Sequence, residues 1–334
     1  MINRLVQTIA LLILFSSPSF TQTTYSGGRG LFRIFSAETI QYGSIFVNTY
    51  YLAFPRGKDS AGYGTDQSLN LGVTYGISNS LELTAQLVPY QDDQQHNWAP
   101  PGDTQIGLKW RLPVSISNFI TGLRGFLRLP TGKNHNLPFE PYSSGKIAWG
   151  VMGLITVDMS QTFELPLKFH TNIGYLDHNI ESILTKENTD QLLFGFGFKF
   201  PIHPFIIYTE YTGEIFINNN AVGFRDNSMR LTQGFKFVGP FKIIVDFGLD
   251  IGLSRNLDFY PEPLHEYADW KIIAGLTYHF TTSRVYGYTP EVTKIDRKKE
   301  KQLLQEIKKK REQASKDLNK VSAKLKDKPE NTPE

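Results

Sequence analysis

The sequence predicts an all-β fold: an antiparallel transmembrane β-barrel of about twelve strands, with a C-terminal amphipathic α-helical tail. Three observations predict it. Long polar connections and short tight ones take turns between amphipathic segments from Tyr42 to Phe280, as they do when tilted strands of roughly 9–11 residues cross a bilayer and only one end of each hairpin is free to grow. The segments alternate with a period of two. The last of them sets Trp270, Ile272, Ala274, Leu276, Tyr278 and Phe280 on one side, an aromatic-ended terminal strand.

In chain order, Asn3 and Arg4 precede an apolar run from Leu5 to Phe15 and small residues to Thr21, so residues 1–21 read as a secretory signal peptide. Residues 22–41 form an N-terminal segment that enters the lumen as a plug or pairs as an extra strand; the sequence leaves both open. The barrel occupies 42–280, with strands expected at 42–54, 68–77, 80–90, 103–112, 119–130, 146–159, 163–176, 190–200, 205–216, 229–237, 241–254 and 268–280. In one of them Leu69, Leu71, Val73, Tyr75 and Ile77 make an apolar face opposite Asn70, Gly72, Thr74 and Gly76. Turn residues fill the short connections, such as Ser78-Asn79 and Val238 to Pro240. The long connections centre on Lys58, Asp93, His135, Glu187, Asn219 and Pro263. Linker 281–290 leads to a basic helix at 291–328, and 329–334 is a disordered end. From Glu291 onward 14 Lys or Arg face 9 Asp or Glu, so the tail carries +5 and the rest of the chain −2. Leu304, Ile307, Ala314, Leu318, Val321 and Leu325 follow a three-four spacing, the pattern of an amphipathic or coiled-coil helix.

The mean hydropathy of −0.28 would suit a soluble β-sandwich, but barrels hide their membrane signal by alternating lipid-facing and lumen-facing residues. Two features favour lipid. Glycines collect on the polar face, and Tyr75, Trp110, Trp149, Tyr175, Trp270, Tyr278 and Phe280 cluster toward strand ends on the apolar face, as membrane-interface girdles do. The chain has no cysteine, so neither a disulfide nor a lipid-acceptor thiol contributes. Short turns and both termini are expected in the periplasm, with the long loops extracellular.

Three stretches carry a family resemblance. Gly30-Leu31-Phe32-Arg33 followed by Ser36-Ala37-Glu38-Thr39 resembles the mature N-terminus of many bacterial outer-membrane barrels. The run from Gly102 to Leu112, GDTQIGLKWRL, and Leu127-Arg128-Leu129-Pro130-Thr131-Gly132 are similar to strands of the transporter-type outer-membrane barrels associated with phenol meta-pathway degradation. The resemblance implies a barrel with a transport role; it assigns no substrate and no site residue. Unlike that pattern, this chain continues well past its terminal strand.

If the apolar faces meet lipid, the other faces line the lumen. Read by parity, Lys109, Arg111, Arg124, Arg128, Lys168, His170, Glu210, Lys242, Asp246 and Asp250 are the candidates for contact with a solute. Lys109 and Arg111 on one strand with Arg124 and Arg128 on the next form a basic patch, suited to small anions or to pairing with Glu82, Glu164 or Glu210. About twelve strands imply a narrow pore, between the filled eight-stranded barrel and the open sixteen-stranded one. The expected function is passive passage of a small solute through a narrow charged lumen. The alternatives are a closed structural barrel that anchors the tail helix, and a membrane-embedded hydrolase using His170. No enzyme is expected, since no serine stands in an evident motif beside an inward histidine. No catalytic residue, metal site or cofactor is expected either: Thr131-Gly132-Lys133 lacks the spacing of a phosphate loop and no metal-ligand spacing occurs. The expected partners are outer-membrane lipid, the solute, and a periplasmic protein or anionic surface for the tail, with no nucleic acid.

Overall fold

A computed structural model of the chain describes residues 22–58, 62–91, 101–116, 118–132, 145–159, 166–179, 190–202, 204–217, 223–254 and 269–281, and single helical positions at Gln305, Lys309 and Gln313. The expected signal peptide, the linker and nearly all of the expected tail helix lie outside the described residues. So do His96, His135 and His265 of the long connections.

Twelve strands form one closed antiparallel barrel: β1 Ser44–Lys58, β2 Gly62–Gly76, β3 Leu81–Gln91, β4 Thr104–Ile116, β5 Phe119–Leu129, β6 Ala148–Asp158, β7 Lys168–Asp177, β8 Gln191–Ile202, β9 Phe205–Phe216, β10 Ser228–Val238, β11 Ile243–Gly252 and β12 Trp270–Thr281. Each strand pairs with its sequence neighbours, and β1 closes on β12 from Ser44 opposite Thr281 to Ala53 opposite Ile272. Closure removes both sheet edges, so every strand is hydrogen-bonded on two sides.

Alternation sorts the two faces. Val73, Leu83, Ile106, Leu108, Leu127, Val151, Phe196, Phe198, Phe235, Phe247, Ile272 and Leu276 point outward and are exposed, an apolar exterior continuous around the wall. Toward its short-turn end stand Tyr75, Trp110, Tyr278 and Phe280; toward the other end stand Trp149, Tyr175 and Trp270, with Trp149 and Tyr175 in ring contact at 5.6 Å. Inward, the register sets opposite charges side by side: Glu82 faces Lys109, Asp158 faces Lys168, Lys236 faces Asp246 and Asp250 faces Lys271.

Two expectations need correction. The connection around Lys58 is not long: β1 and β2 stay paired out to Lys58 opposite Gly62, leaving only 59–61 between them. The polar run Gly62 to Gln67 reads as loop in sequence because it has no apolar face, yet backbone pairing needs none. Lys242 does not line the lumen. It is exposed in the turn before β11, where Phe241 and Lys242 both take positive φ (60° and 63°), so strand parity does not reach it. His178 is buried just beyond β7, with Nε2 2.8 Å from Gln191 Oε1.

Candidate solute site above a luminal plug

The lumen is not empty. Residues 22–43 fold back inside the barrel as a compact insert, held together by bonds such as Thr24 N–H to the Gly28 carbonyl (2.8 Å), Leu31 N–H to Ile34 (2.8 Å) and Ser36 N–H to Arg29 (2.9 Å). Its apolar residues Leu31, Phe32, Ile34, Phe35, Ala37 and Ile40 are buried. Leu31 and Phe32 pack with Tyr50, Leu52, Tyr208 and Ile273; Phe35 and Ala37 pack with Phe126, Met152, Leu154 and Leu193. The barrel thus has an apolar core in its lumen, to which both the wall and the insert contribute. Glycines on the luminal face make the space. Tyr208 lies across Gly234 and Phe126 across Gly150, each with ring atoms 2.3 Å from where a Cβ would stand, so these rings lie flat on the wall beside the insert.

An insert without regular secondary structure has unpaired backbone groups, and burying them unbonded would be costly. The luminal charges satisfy them. The Glu210 carboxylate accepts the N–H groups of Phe32 (2.9 Å), Arg33 (2.9 Å) and Ile34 (3.0 Å). Glu82 accepts those of Arg29 and Ile40, both at 2.9 Å, and pairs with Lys109 at 2.6 Å. The Lys109 ammonium donates in turn to the carbonyls of Arg29, Ser36 and Glu38. Lys236 pairs with Asp246 (2.7 Å) and donates to the carbonyls of Thr23 and Leu31. The Asn172 amide bonds both backbone groups of Phe35 at 2.8 Å. At Gly28, φ is +87° and a Cβ would come within 3.1 Å of the Glu82 carboxylate, so this turn accepts glycine alone without strain.

Side-chain pairs tie the insert further. Arg33 pairs with Asp250 at 2.6 Å, and Glu38 bridges Arg29 and Lys168, both at 2.7 Å. Burial alone would raise the Glu38 carboxyl, but the cations Arg29 and Lys168 outweigh it and hold the group well below the usual carboxylate range. His170 belongs to the same network. Its Nδ1 is 2.9 Å from the Thr156 hydroxyl, which accepts the Ala37 N–H (2.9 Å) and so is placed to donate to the imidazole.

The luminal residues expected to form one basic patch adjoin in register, Lys109 opposite Arg124, but take different partners. Lys109 and Arg111 lie toward the short-turn end, and Lys109 is committed to the insert's backbone. Arg124 and Arg128 lie in the wall of a cavity of about 80 Å³. Tyr25, Ser26, Arg33, Ile34 and Phe35 form its floor. The Arg124 guanidinium, 2% exposed, is stacked between Phe35 (4.1 Å) and Phe126 (4.6 Å). Its Nε and Nη2 have no hydrogen-bond partner among the described residues. Arg128 is half-buried beside it, 3.3 Å from Gln105. Arg230 lines the cavity and pairs with Asp250. Asp246 takes no part in this cavity: its carboxylate is bonded by Tyr50, Tyr208 and Lys236 on the far side of the insert. The floor residues escaped sequence reasoning, because nothing in residues 22–35 marks them as pore-lining until the insert is known to lie inside.

No family model matches the chain, and no curated protein matches it. Among solved structures it is similar to the NanC porin, with 10% identity over 70% of this chain and 98% of that one and a TM-score of 0.49. It is also similar to an outer membrane channel from Pseudomonas putida F1, with 12% identity over 73% of this chain and 98% of that one and a TM-score of 0.48. A third is the outer membrane channel DcaP of Acinetobacter baumannii, at 9% identity over 72% and 96% of the two chains and a TM-score of 0.34.

Proposed function

We propose that the chain is an outer-membrane barrel that passes a small solute passively, with residues 22–43 as a resident plug that sets how much of the lumen is open. The observation that carries this reading is the pairing of an apolar, ring-flanked exterior with luminal charges turned onto the backbone of an inserted segment. Lipid is the medium that would cover such an exterior, and water the one that would fill the lumen were the insert to leave. In this reading the short turns and both termini face the periplasm, the long connections face outward, residues 1–21 are a cleaved signal peptide, and the basic tail at 291–328 is a periplasmic helix that meets a protein or an anionic surface. No covalent step is involved. Thr156 bonds both His170 and the plug's Ala37, which supports a structural role for this histidine over a catalytic one.

A closed structural barrel is the second reading, favoured by how fully Glu210, Lys109 and Lys236 are engaged by the plug. Planar-bilayer conductance separates the two. The intact chain is expected to conduct weakly and a variant lacking residues 22–41 several-fold more. Silence of both, with each shown to be a folded barrel, would overturn the channel reading and leave the structural one.

A further inference from the structure

We propose that the outward face of β9, β10 and β11 is where a second copy of this chain docks, with the Gln233 amides of the two copies bonded to each other at mid-wall. The contact requires the outer-membrane part of the reading above and is independent of conduction. Among the described strands, outward positions away from the strand ends are apolar, aromatic, glycine or threonine, with two exceptions. Gln67 is one, out in the β1–β2 extension, where the Tyr51 hydroxyl donates to it. Gln233 is the other. It is exposed and is the middle residue of β10, with Met229 and Leu231 on one side of it along the outward face and Phe235 and Phe237 on the other. Leu249 and Thr209 are its neighbours across the sheet. In the outer-membrane reading it stands where hydrocarbon covers the wall and offers an N–H no acceptor. The Thr209 hydroxyl donates to its Oε1, while its NH2 group has no partner among the described residues.

A second copy supplies what lipid does not. Inserted in one orientation, every copy carries Gln233 at the same depth, so a two-fold axis along the membrane normal brings the two amides level and sets each residue against itself. A primary amide is its own complement: each NH2 donates to the other copy's carbonyl oxygen, whose second lone pair Thr209 leaves free. A lipid headgroup does not reach that depth, and an unrelated protein would have to present an amide at the same height. The surroundings suit such a contact. Gln233 lies in a shallow hollow lined by Phe205, Ile207, Phe235, Phe247 and Leu249. Ring contacts from Phe205 to Phe235 (6.5 Å) and from Phe235 to Phe247 (5.7 Å) hold its rim in place. Two copies thus meet with a preordered aromatic border that closes around the bonded amides and excludes lipid.

Self-association of the full chain in phospholipid vesicles tests this. Resonance energy transfer between donor- and acceptor-labelled chains is expected to show a reversible dimer that dissociates on dilution with lipid. Gln233→Leu, which places an apolar group against lipid and leaves the barrel folded by heat-modified gel migration, should raise the dissociation constant about fivefold or more. Gln233→Asn, which keeps the amide on a shorter stem, should recover part of that loss. The chain has no cysteine, so a single introduced thiol reports which faces meet. Leu231→Cys, beside Gln233, should cross-link to its own copy through a short bismaleimide, and Leu108→Cys, on the outward face of β4, should not. The proposal is overturned if the inserted chain stays monomeric as the lipid-to-protein ratio is lowered, if Gln233→Leu associates unchanged, or if Leu108→Cys cross-links as readily as Leu231→Cys. A chain that stays in solution without entering the vesicles would refute the outer-membrane reading itself, whereas a monomeric inserted barrel would refute the dimer alone.

Discussion

At the scale of single residues, Glu210 shows what the luminal charges are for. One carboxylate on β9 accepts three consecutive backbone N–H groups of the plug, an arrangement that suits its two oxygens. Glu210→Ala would leave those donors buried and unbonded, a loss on the order of 3 kcal/mol in the docking of this turn. Hydrogen exchange at Phe32, Arg33 and Ile34 should accelerate by about two orders of magnitude while β-strand amides keep their protection; unchanged exchange at the three would show that the turn holds itself. Glu38 makes a second, pH-dependent tether. Its carboxyl is held below its ordinary value of 4.5 by Arg29 and Lys168, so the stabilisation is complete at neutral pH. It is lost as pH falls from about 4.5 toward the depressed value of the folded state. Amide protection around Ser36 to Ile40, taken relative to the intrinsic exchange rate at each pH, is therefore expected to fall on acidification below about pH 4.5 in the native chain. Subtracting the profile of Glu38→Gln, which cannot titrate, isolates this contribution; parallel profiles would remove Glu38 from the account.

At the scale of elements, strand positions were legible because a wall with apolar residues on one side and polar groups on the other imposes a period of two that the residues cannot avoid. β9 begins and ends where its alternation does, at Phe205 and Phe216. The reading failed where backbone pairing continues without that constraint, in the β1–β2 extension, and where a turn interrupts it, at Lys242. That turn is also a point of strain. Phe241 and Lys242 both sit at positive φ, where a non-glycine residue costs about 1 kcal/mol or more. Replacing the pair by Asn-Gly, the sequence such turns favour, should stabilise the barrel by about 1 kcal/mol. Urea unfolding in detergent or lipid would register it as a higher midpoint at constant slope; a lower midpoint would mean that the exposed Phe241 ring makes contacts worth more than the strain.

At the scale of the molecule, barrel closure and the sign of the luminal charges were readable, but the partner of those charges was not. Lys109 was legible as a luminal cation and Glu82 as its neighbour. What could not be read is that both spend most of their bonding capacity on main-chain groups of residues 29–40, because a backbone carbonyl leaves no signature in the sequence that bonds to it. For the same reason Arg124, directly opposite Lys109 in register, became a different kind of site. The plug takes Lys109 onto its carbonyls and lays the Phe35 ring on Arg124, so one cation is a structural anchor and the other lines a cavity.

The path of the insert has a further consequence. Its outgoing limb leaves the lumen at Gly43, bonded to Gly76 beside the β2–β3 turn, while Thr23 and Thr24 lie beside Thr277 and Asn48, a few residues from that same rim. The insert joins the wall at the start of β1, so it can be withdrawn through that mouth while the β1–β12 seam stays shut.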